Sequence, residues 1–398
     1  MNSLQSSFRN ASRVELGRAL QESRDYTLAL FDAFAAAGLD VPARVPPLDI
    51  VNPPLWELGH IAWFAEWFIL READSSAPAA ARRASLLTMG DDWFDSNTVA
   101  HGMRWKLDLP SAGALKTYCH EVLDRVLDKL ERVADEDTAL YPYRLALAHE
   151  DMHGEAFAYT LQTLGVALPP QLASLPSPSW AQGEIRFAGG TIELGSRSDA
   201  GFVFDNEKSA HACHVPSFTM DAMLVSNAQY SDFIDDAGYQ NPHYWTKAGQ
   251  AWLMQQSSSA PRDWQRDGEF WRVMRFGQLM TLSATQPVRH VSLYEAQAYC
   301  AWAGRRLPLE AEWEFAALSG HPAFRWGDLW EWTCSPFLPY EGFTADAYRE
   351  YSAPWFGSHQ VLRGTSFVTP GRLRSPKFRN FYLPQRNDMF VGFRTCAM

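Results

Sequence analysis

Residues 145–165 read LALAHEDMHGEAFAYTLQTLG and contain two histidines, His149 and His153, four positions apart. In a helix this spacing places both imidazoles on one face, one turn apart. Alanines keep the stretch slim and larger apolar residues accompany them, which predicts a helix inside a bundle. Two imidazoles that point into a bundle indicate a metal site.

The same residues allow two other interpretations. Residues 149–153, HEDMH, match the H-E-x-x-H signature of zinc proteases, in which the glutamate acts as general base. Alternatively, both histidines belong to the core or to the surface and bind no metal. The pattern is short, so the rest of the chain must distinguish these alternatives.

The composition is that of an ordinary globular protein and excludes several classes. With 398 residues, 46% of them hydrophobic and 20% charged, the chain predicts two domains. Its net charge of −11 argues against nucleic acid or an anionic membrane as partner. Five scattered cysteines without a C-x-x-C pair predict free thiols in a cytoplasmic protein. We expect no signal peptide, no membrane span and no obligate protein partner.

Periodicity and proline-rich stretches divide the chain into two parts. Helices are predicted at 12–37, at 55–72, from Ser111 to about Ala134 and at 145–165, with loops between them, including 135–143. These helices form a predicted bundle at 1–165, and a proline-rich linker follows at 166–184. Short strands, such as 214–220, then alternate with helices in an irregular α+β domain at 185–398.

The second predicted helix supplies a third histidine. His60 lies among the aromatic residues Trp56, Trp63, Phe64, Trp67 and Phe68. A single histidine in such a helix is more often a core residue than a ligand. A two-histidine site needs another ligand, however, and no neighbour of His149 supplies one. A third imidazole would complete one face of an octahedron and leave positions for substrate and oxygen.

Several phrases of the second part resemble a known family. They are AGGTIELGS (188–196), DNEK (205–208), VSNAQYSDFI (225–234), PVRHVSLYEAQAYCAWAGRRLPLEAEWEFAA (287–317), LWEWTCSPF (329–337), LRGTSF (362–367) and GFR (392–394). Together they resemble the formylglycine-generating-enzyme-like variant of the C-type lectin fold. The first part resembles the DinB-like four-helix bundle, which carries one histidine on a tryptophan-rich helix and a later H-x-x-x-H.

The order of the two domains resembles the ergothioneine-pathway sulfoxide synthases of the EgtB type. That resemblance implies a non-haem iron(II) enzyme, with Fe2+ as cofactor, and His60, His149 and His153 as ligands. Its substrates would be O2, a sulfur donor and hercynine, the trimethylammonium betaine of histidine. The zinc-protease interpretation weakens, because nothing downstream resembles the further ligand that such a protease needs.

Departures from the commoner sulfoxide synthases concern the donor. Met152 occupies the position at which members that use γ-glutamylcysteine have glutamine. Those members also bind the donor carboxylates with an arginine-rich clamp, whereas loop 90–111 of this chain offers only Arg104 and Lys106. Arg82 and Arg83 precede this loop. The run Arg379-Asn380-Phe381-Tyr382 lacks their aspartate. A less basic pocket suits a neutral donor, and loop 91–111 resembles the selenoneine-forming branch, which takes a selenosugar. Cysteine and γ-glutamylcysteine remain the alternative donors.

The resemblance also suggests roles for other residues, each of which is alternatively structural. Aromatic candidates for the trimethylammonium group are Trp63, Trp67, Trp332 and Phe381. Asn380 is a candidate for the hercynine carboxylate or ring, and Tyr340 or Tyr382 for the proton donor. The active site would lie between the domains. Two other functions stay open, a lectin-like binding module without an enzymatic role and a zinc-dependent thiol transferase.

Overall fold

The computed structural model describes residues 7–77, 79–169, 183–256 and 259–398. Most of the predicted linker, 166–184, lies outside these ranges. Within them, helices dominate up to residue 163 and short strands dominate from residue 184 onward. No helix in these ranges combines the length and the apolar character needed to cross a bilayer.

The first part is a four-helix bundle with one short extra helix. Its helices are α1 (Arg13–Ala36), α2 (Pro54–Ala65), α3 (Gly90–Phe94), α4 (Ala112–Leu130) and α5 (Asp137–Thr163). Ser12 and Ser111 cap α1 and α4, at the positions where the sequence predicts these helices to begin, and Ser12 forms a capping box with Glu15. A five-residue π-helix, Glu66–Leu70, continues α2, so the predicted helix at 55–72 is in fact two segments.

The last bundle helix is longer than the sequence predicts. The loop predicted at 135–143 is wrong, because α5 begins at Asp137 and continues through Pro142. Tyr143, Arg144 and Leu140 are buried in this first part of α5. Packing of these side chains therefore outweighs the lost hydrogen bond that proline brings to a helix interior.

Short strands and four helices form the second part. The strands are β1 (Glu184–Phe187), β2 (Gly190–Leu194), β3 (His211–Val215), β4 (Phe218–Asp221), β5 (Trp264–Asp267), β6 (Phe270–Arg275), β7 (Gln278–Thr281), β8 (Arg305–Arg306), β9 (Trp330–Pro336), β10 (Gln360–Gly364), β11 (Asn380–Tyr382), β12 (Val391–Gly392) and β13 (Cys396–Ala397). The helices are α6 (Asn227–Asp235), α7 (Lys247–Leu253), α8 (Leu293–Ala303) and α9 (Glu310–Leu318). The single strand predicted at 214–220 is wrong, because Pro216 and Ser217 separate β3 from β4.

The strands pair in small sheets that place β11 at an edge. One sheet has the order β1-β4-β13-β8, and another has the order β11-β10-β9-β12. In the second sheet, β12 runs parallel to β9, while β10 is antiparallel to both of its neighbours. Asn380 pairs with Leu362, which brings the predicted substrate-binding run 379–382 to the rim of this sheet.

One face of α5 carries the polar residues that join the two parts. Asp151, Glu155 and Gln162 are four and seven positions apart, so they share a face of the helix. The Arg372 guanidinium donates to both Asp151 oxygens, at 2.8 and 2.6 Å. Glu155 accepts hydrogen bonds from the side chains of Trp330, Ser366 and Thr369. These buried contacts fix the bundle helix against the second part.

Replacing Arg372 by methionine should therefore weaken the fold. Arg372→Met leaves the buried Asp151 carboxylate without its ion pair, which costs about 3–5 kcal/mol when one partner of a buried pair is removed. We expect a clear fall in the urea unfolding midpoint. Arg125→Met is the control, since Arg125 pairs with Glu121 on the exposed face of α4 and such pairs contribute at most about 1 kcal/mol. Equal midpoints for both variants would contradict the role of Arg372.

Candidate metal centre and substrate pocket

Three histidines from two helices meet in the bundle. One side-chain atom from each of His60, His149 and His153 lies within 4.8 Å of the others, as in a site that can hold a metal ion. The ring centroids are 5.0 Å apart for His60 and His149, 5.1 Å for His60 and His153, and 4.4 Å for the two histidines of α5. The helical spacing predicted from the sequence thus places His149 and His153 on one face of α5, where they meet His60 of α2.

The outer nitrogens of two imidazoles are held by hydrogen bonds. His60 Nδ1 donates to the Phe94 carbonyl at 2.8 Å, and His153 Nδ1 donates to the Glu57 carboxylate at 2.6 Å. Both rings must therefore present Nε2 lone pairs on their other side. His149 Nε2 is buried and has no partner among the described residues. This donor set fits a divalent transition metal, with Glu57 as the carboxylate behind one ligand.

The surroundings keep His60 and His149 neutral. Burial lowers the pKa of His149 well below its ordinary value, and the neighbouring histidines lower it further. Burial likewise lowers the pKa of His60. A neutral imidazole is the form that binds metals, so His60 and His149 need no deprotonation before metal binding.

Glycine allows the close approach that orients His60. A Cβ atom at Gly59 would lie 2.2 Å from Cε1 of Phe94, so a larger residue would displace that ring. Phe94 in turn carries the carbonyl that binds His60. Gly59 and His60 therefore belong to one structural unit.

The two carboxylates beside His149 on α5 point elsewhere. Arg24 donates to both oxygens of Glu150, at 2.7 and 3.0 Å, in the bundle core. Asp151 is held by Arg372 and Ser23. Neither carboxylate is placed to activate a metal-bound water, which argues against the zinc-protease interpretation.

Aromatic rings pack against the imidazoles. Phe64 stacks on His149 with a centroid distance of 3.6 Å, and Trp56 stacks on His60 at 4.9 Å. Tyr348 reaches the centre from the second part, and its ring lies 6.0 Å from His149 and 4.9 Å from Phe64. Side chains from both parts of the chain therefore surround the three histidines.

Charged groups surround Tyr348. Burial raises the pKa of Tyr348, the charge of Glu350 raises it further, and the charge of Arg104 opposes this. Arg104 stacks on Trp56 with its guanidinium carbon 3.8 Å from the ring centroid, and burial lowers its pKa to about 10. Burial raises the pKa of Asp95, and Glu350 Oε2 is buried without a partner among the described residues.

The bundle residues predicted to bind substrate fall into two groups. Trp63 lies beside the three histidines, with its ring centroid 6.1 Å from that of His60. The ring centroid of Trp67 is 5.3 Å from that of Trp63. Arg104 also borders the centre through Trp56. Lys106 is exposed on its loop, and Met152 packs against the bundle core.

The predicted residues of the second part are also divided. Phe381 lies 5.7 Å from Tyr351, which lies 5.9 Å from Tyr348, so these rings form an aromatic row toward the histidines. Asn380 accepts from the Phe381 backbone and keeps its amide group for another partner. The side chain of Tyr382 forms a hydrogen bond with that of Tyr159 on α5, and burial raises the pKa of Tyr382 to about 12.

Three other residues predicted for the site contact neighbours in the second part of the chain. Arg379 is buried and pairs with Glu310, and the Tyr340 ring lies under its guanidinium carbon at 4.0 Å. The Tyr340 hydroxyl is 3.4 Å from Glu310. Trp332 is fully buried and donates to the Val291 carbonyl. The contacts of these side chains are therefore within the second part.

Sequence reasoning missed Glu57 and Tyr348. Glu57 precedes His60 by three positions, so helical spacing places it one turn away, and this signal was present in the sequence. Tyr348 lies in the long connection between β9 and β10 and follows no motif. Its position depends on how the second part packs on the bundle.

Comparisons with known proteins identify both parts. Residues 19–157 match the DinB superfamily, and residues 173–328 match the sulfatase-modifying factor enzyme 1-like domain. The hercynine oxygenase of Mycolicibacterium thermoresistibile is 31% identical over 438 residues, with 96% of this chain and 94% of that protein covered. The hercynine oxygenase of Mycolicibacterium smegmatis is 31% identical over 439 residues, with 96% of this chain and 98% of that protein covered. The formylglycine-generating enzyme of Streptomyces coelicolor is 32% identical over 183 residues, 42% of this chain and 58% of that protein.

The fold and these matches define a two-domain protein with a DinB-like helical half and a formylglycine-generating-enzyme-like half. The chain belongs to the family of EgtB-type hercynine oxygenases. The resemblance drawn from the sequence is thereby confirmed at the level of family and fold.

The hydrogen bond from His153 to Glu57 should contribute to metal affinity. Glu57→Gln removes the charge that increases the basicity of the imidazole, and loss of such a partner lowers metal affinity by about 10-fold to 100-fold. Anaerobic titration with iron(II) in competition with a chelating dye measures this affinity. Glu66→Gln is the matched control, because Glu66 is buried on the segment after α2 but bonds to Tyr118. Unchanged affinity in Glu57→Gln would contradict this assignment.

Proposed function

We propose that this protein is a non-haem iron(II) oxidoreductase that uses O2 to join a chalcogen atom to the imidazole ring of hercynine. The observation that carries the proposal is the cluster of His60, His149 and His153, with ligand atoms within 4.8 Å of one another. Membership of the hercynine oxygenase family supports the substrate.

The residues of the chain prepare the site for that chemistry. When bound, iron(II) supplies the redox chemistry with O2 and holds the substrates close together. Phe94 and Glu57 fix the orientation of two imidazoles through their Nδ1 atoms. Phe64 and Trp56 pack on the imidazole faces and exclude water from that side.

Hercynine suits the aromatic row that leads away from the histidines. Its trimethylammonium group is a permanent cation without hydrogen-bond donors, and aromatic faces attract such groups. Tyr348, Tyr351 and Phe381 supply these faces in sequence from His149 to the edge strand β11. The Asn380 amide is suited to donate to the carboxylate of the substrate.

The charges around Tyr348 favour a selenosugar over a dicarboxylate peptide as donor. Arg104 is accompanied by the carboxylates of Asp95 and Glu350, and all three charges act on Tyr348. Carboxylate oxygens accept hydrogen bonds from sugar hydroxyls, whereas they repel a donor that carries carboxylates. Glu350 Oε2, buried without a partner among the described residues, is suited to accept such a bond.

Tyr348 is the tyrosine best suited to deliver a proton during oxygen reduction. Its raised pKa keeps the hydroxyl protonated, and its ring lies beside His149. Tyr340, predicted for this role from the sequence, has its hydroxyl next to Glu310 instead.

We therefore expect Tyr348→Phe to lower turnover by about 10²-fold to 10⁴-fold, the usual contribution of general acid catalysis, with little change in metal content. Tyr340→Phe, the control, should keep turnover near that of the wild type. Product formation followed by mass spectrometry measures both. Equal rates for wild type and Tyr348→Phe would exclude the assigned role.

A competition assay tests the proposed function itself. The iron(II)-loaded protein receives air, hercynine and an equimolar mixture of a selenosugar, γ-glutamylcysteine and cysteine. We expect an adduct with a carbon–selenium bond that retains the sugar. A sulfur adduct without a selenium adduct would contradict the selenosugar as donor but would support oxidative bond formation on hercynine. Absence of any adduct in iron-loaded protein would contradict the proposal and favour a binding module or a zinc-dependent transferase.

A further inference from the structure

The second domain buries a group of basic side chains away from the histidines. Arg275, Arg289 and His290 expose only 7%, 4% and 2% of their surfaces. Arg275 ends β6, and the other two precede α8. Charged side chains are rarely buried to this extent without a partner of opposite charge. Their surroundings should therefore show how the charge is balanced.

Aromatic rings around Phe390 bring these segments together. The Phe390 ring lies 5.4 Å from that of His290, 6.1 Å from that of Phe276 and 4.7 Å from that of Phe367. The Arg289 guanidinium carbon lies 5.7 Å from the centroid of Phe367. Arg275 donates a hydrogen bond to Gln286, three residues before Arg289, and its charge acts on Arg289, so both arginines lie in the same interior region.

Asn387 closes another side of this region. His290 Nδ1 donates to the Asn387 carbonyl at 3.2 Å, which leaves a neutral Nε2 acceptor. Arg262 Nη1 donates to the Asn387 side chain at 3.4 Å. Arg262 therefore brings a third guanidinium to the region, whereas His290 adds no charge.

Several polar atoms here lack partners. Arg289 Nη2, Arg275 Nε and Arg262 Nε are buried without a hydrogen bond to any described residue. Arg275 donates to Gln286, which is uncharged. By contrast, the exposed Arg272 of the same small sheet forms an ion pair with Asp267. The buried donors thus point to a ligand that the protein side chains do not supply.

The nearby acidic side chain does not balance these charges. Asp263, which accepts a hydrogen bond from Gln162 at 2.9 Å, is the carboxylate whose charge acts on Arg289 and Arg262. Its single negative charge faces the guanidinium groups of three arginines. Burial lowers the pKa of Arg289 well below its ordinary value, and Arg275 lowers it further. The residues outside the described ranges include no aspartate or glutamate. A counter-ion from solution would remove this imbalance.

We propose that Arg275 and Arg289 form an internal site for a small monovalent anion of the size of chloride. Guanidinium N–H groups are charge-assisted donors, and a halide accepts them from any direction. The burial of both arginines selects for a small ion over a carboxylate or phosphate ester. The site lies near Gln162, nine residues after His153 on α5, or about 13 Å along the helix. It is therefore separate from the metal centre.

Thermal melting of the iron(II)-loaded protein tests the site. Sodium bromide replaces sodium gluconate at constant ionic strength, and we expect the Tm to rise and then saturate, because a ligand that binds the native state stabilises it. The chelated, iron-free protein should show the same rise. A rise that needs iron would assign the halide to the metal centre and overturn the proposal.

Two variants separate the site from general salt effects. Arg289→Met should raise the half-saturating bromide concentration by about 10-fold to 100-fold, the range for losing a charge-assisted hydrogen bond. Arg272→Met, which removes an exposed guanidinium from β6, should leave it unchanged. Equal bromide dependence in both variants would contradict the proposal.

Bromide in crystals of the wild-type protein gives a measurement that needs no variant to fold. An anomalous peak between the guanidinium groups of Arg275 and Arg289 is the expected result. Water density there without anomalous signal would overturn the proposal, and would leave the unpartnered donors to ordered water.

Discussion

Helix α5 is constrained on two sides, and the geometry of the site depends on this. On one face, His149 and His153 meet His60 of α2. On another face, Asp151 and Glu155 accept charged and neutral hydrogen bonds from the second domain. A buried carboxylate that lost these donors would be costly, so the helix has little freedom to rotate or slide. The three histidines are thus positioned by both domains, although all of them belong to the bundle.

The parts of the site that the sequence predicts are those set by local geometry. Helical periodicity placed His149 and His153 on one face, and a tryptophan-rich helix singled out His60. The predicted starts of α1 and α4 are likewise correct, and Ser12 and Ser111 cap these helices. These signals act over a few residues, so a single sequence contains them. The start of α5 was missed because packing of its first turns outweighs the cost of Pro142.

The parts that the sequence does not predict depend on contacts between distant segments. Glu57 bonds to a histidine 96 positions away, and Tyr348 meets Phe64 only after the domains dock. Tyr340 and Tyr348 lie on the same connection between β9 and β10, and Tyr340 is the closer of the two to the motif at 329–337. Only the packing of this connection places Tyr348, and not Tyr340, beside His149. Local patterns do not contain such information, because the competing tyrosines have the same local preferences.

The side chains around Tyr348 and the three histidines belong to different kinds of segment. The histidines and Glu57 belong to helices whose packing forms the bundle core. Asp95, Arg104, Tyr348 and Glu350, in contrast, lie on connections outside the long helices and the strands. Substitutions on connections disturb the core little, whereas substitutions at the helix crossing would move the ligands. The charge around Tyr348 can therefore vary without cost to the orientation of the imidazoles.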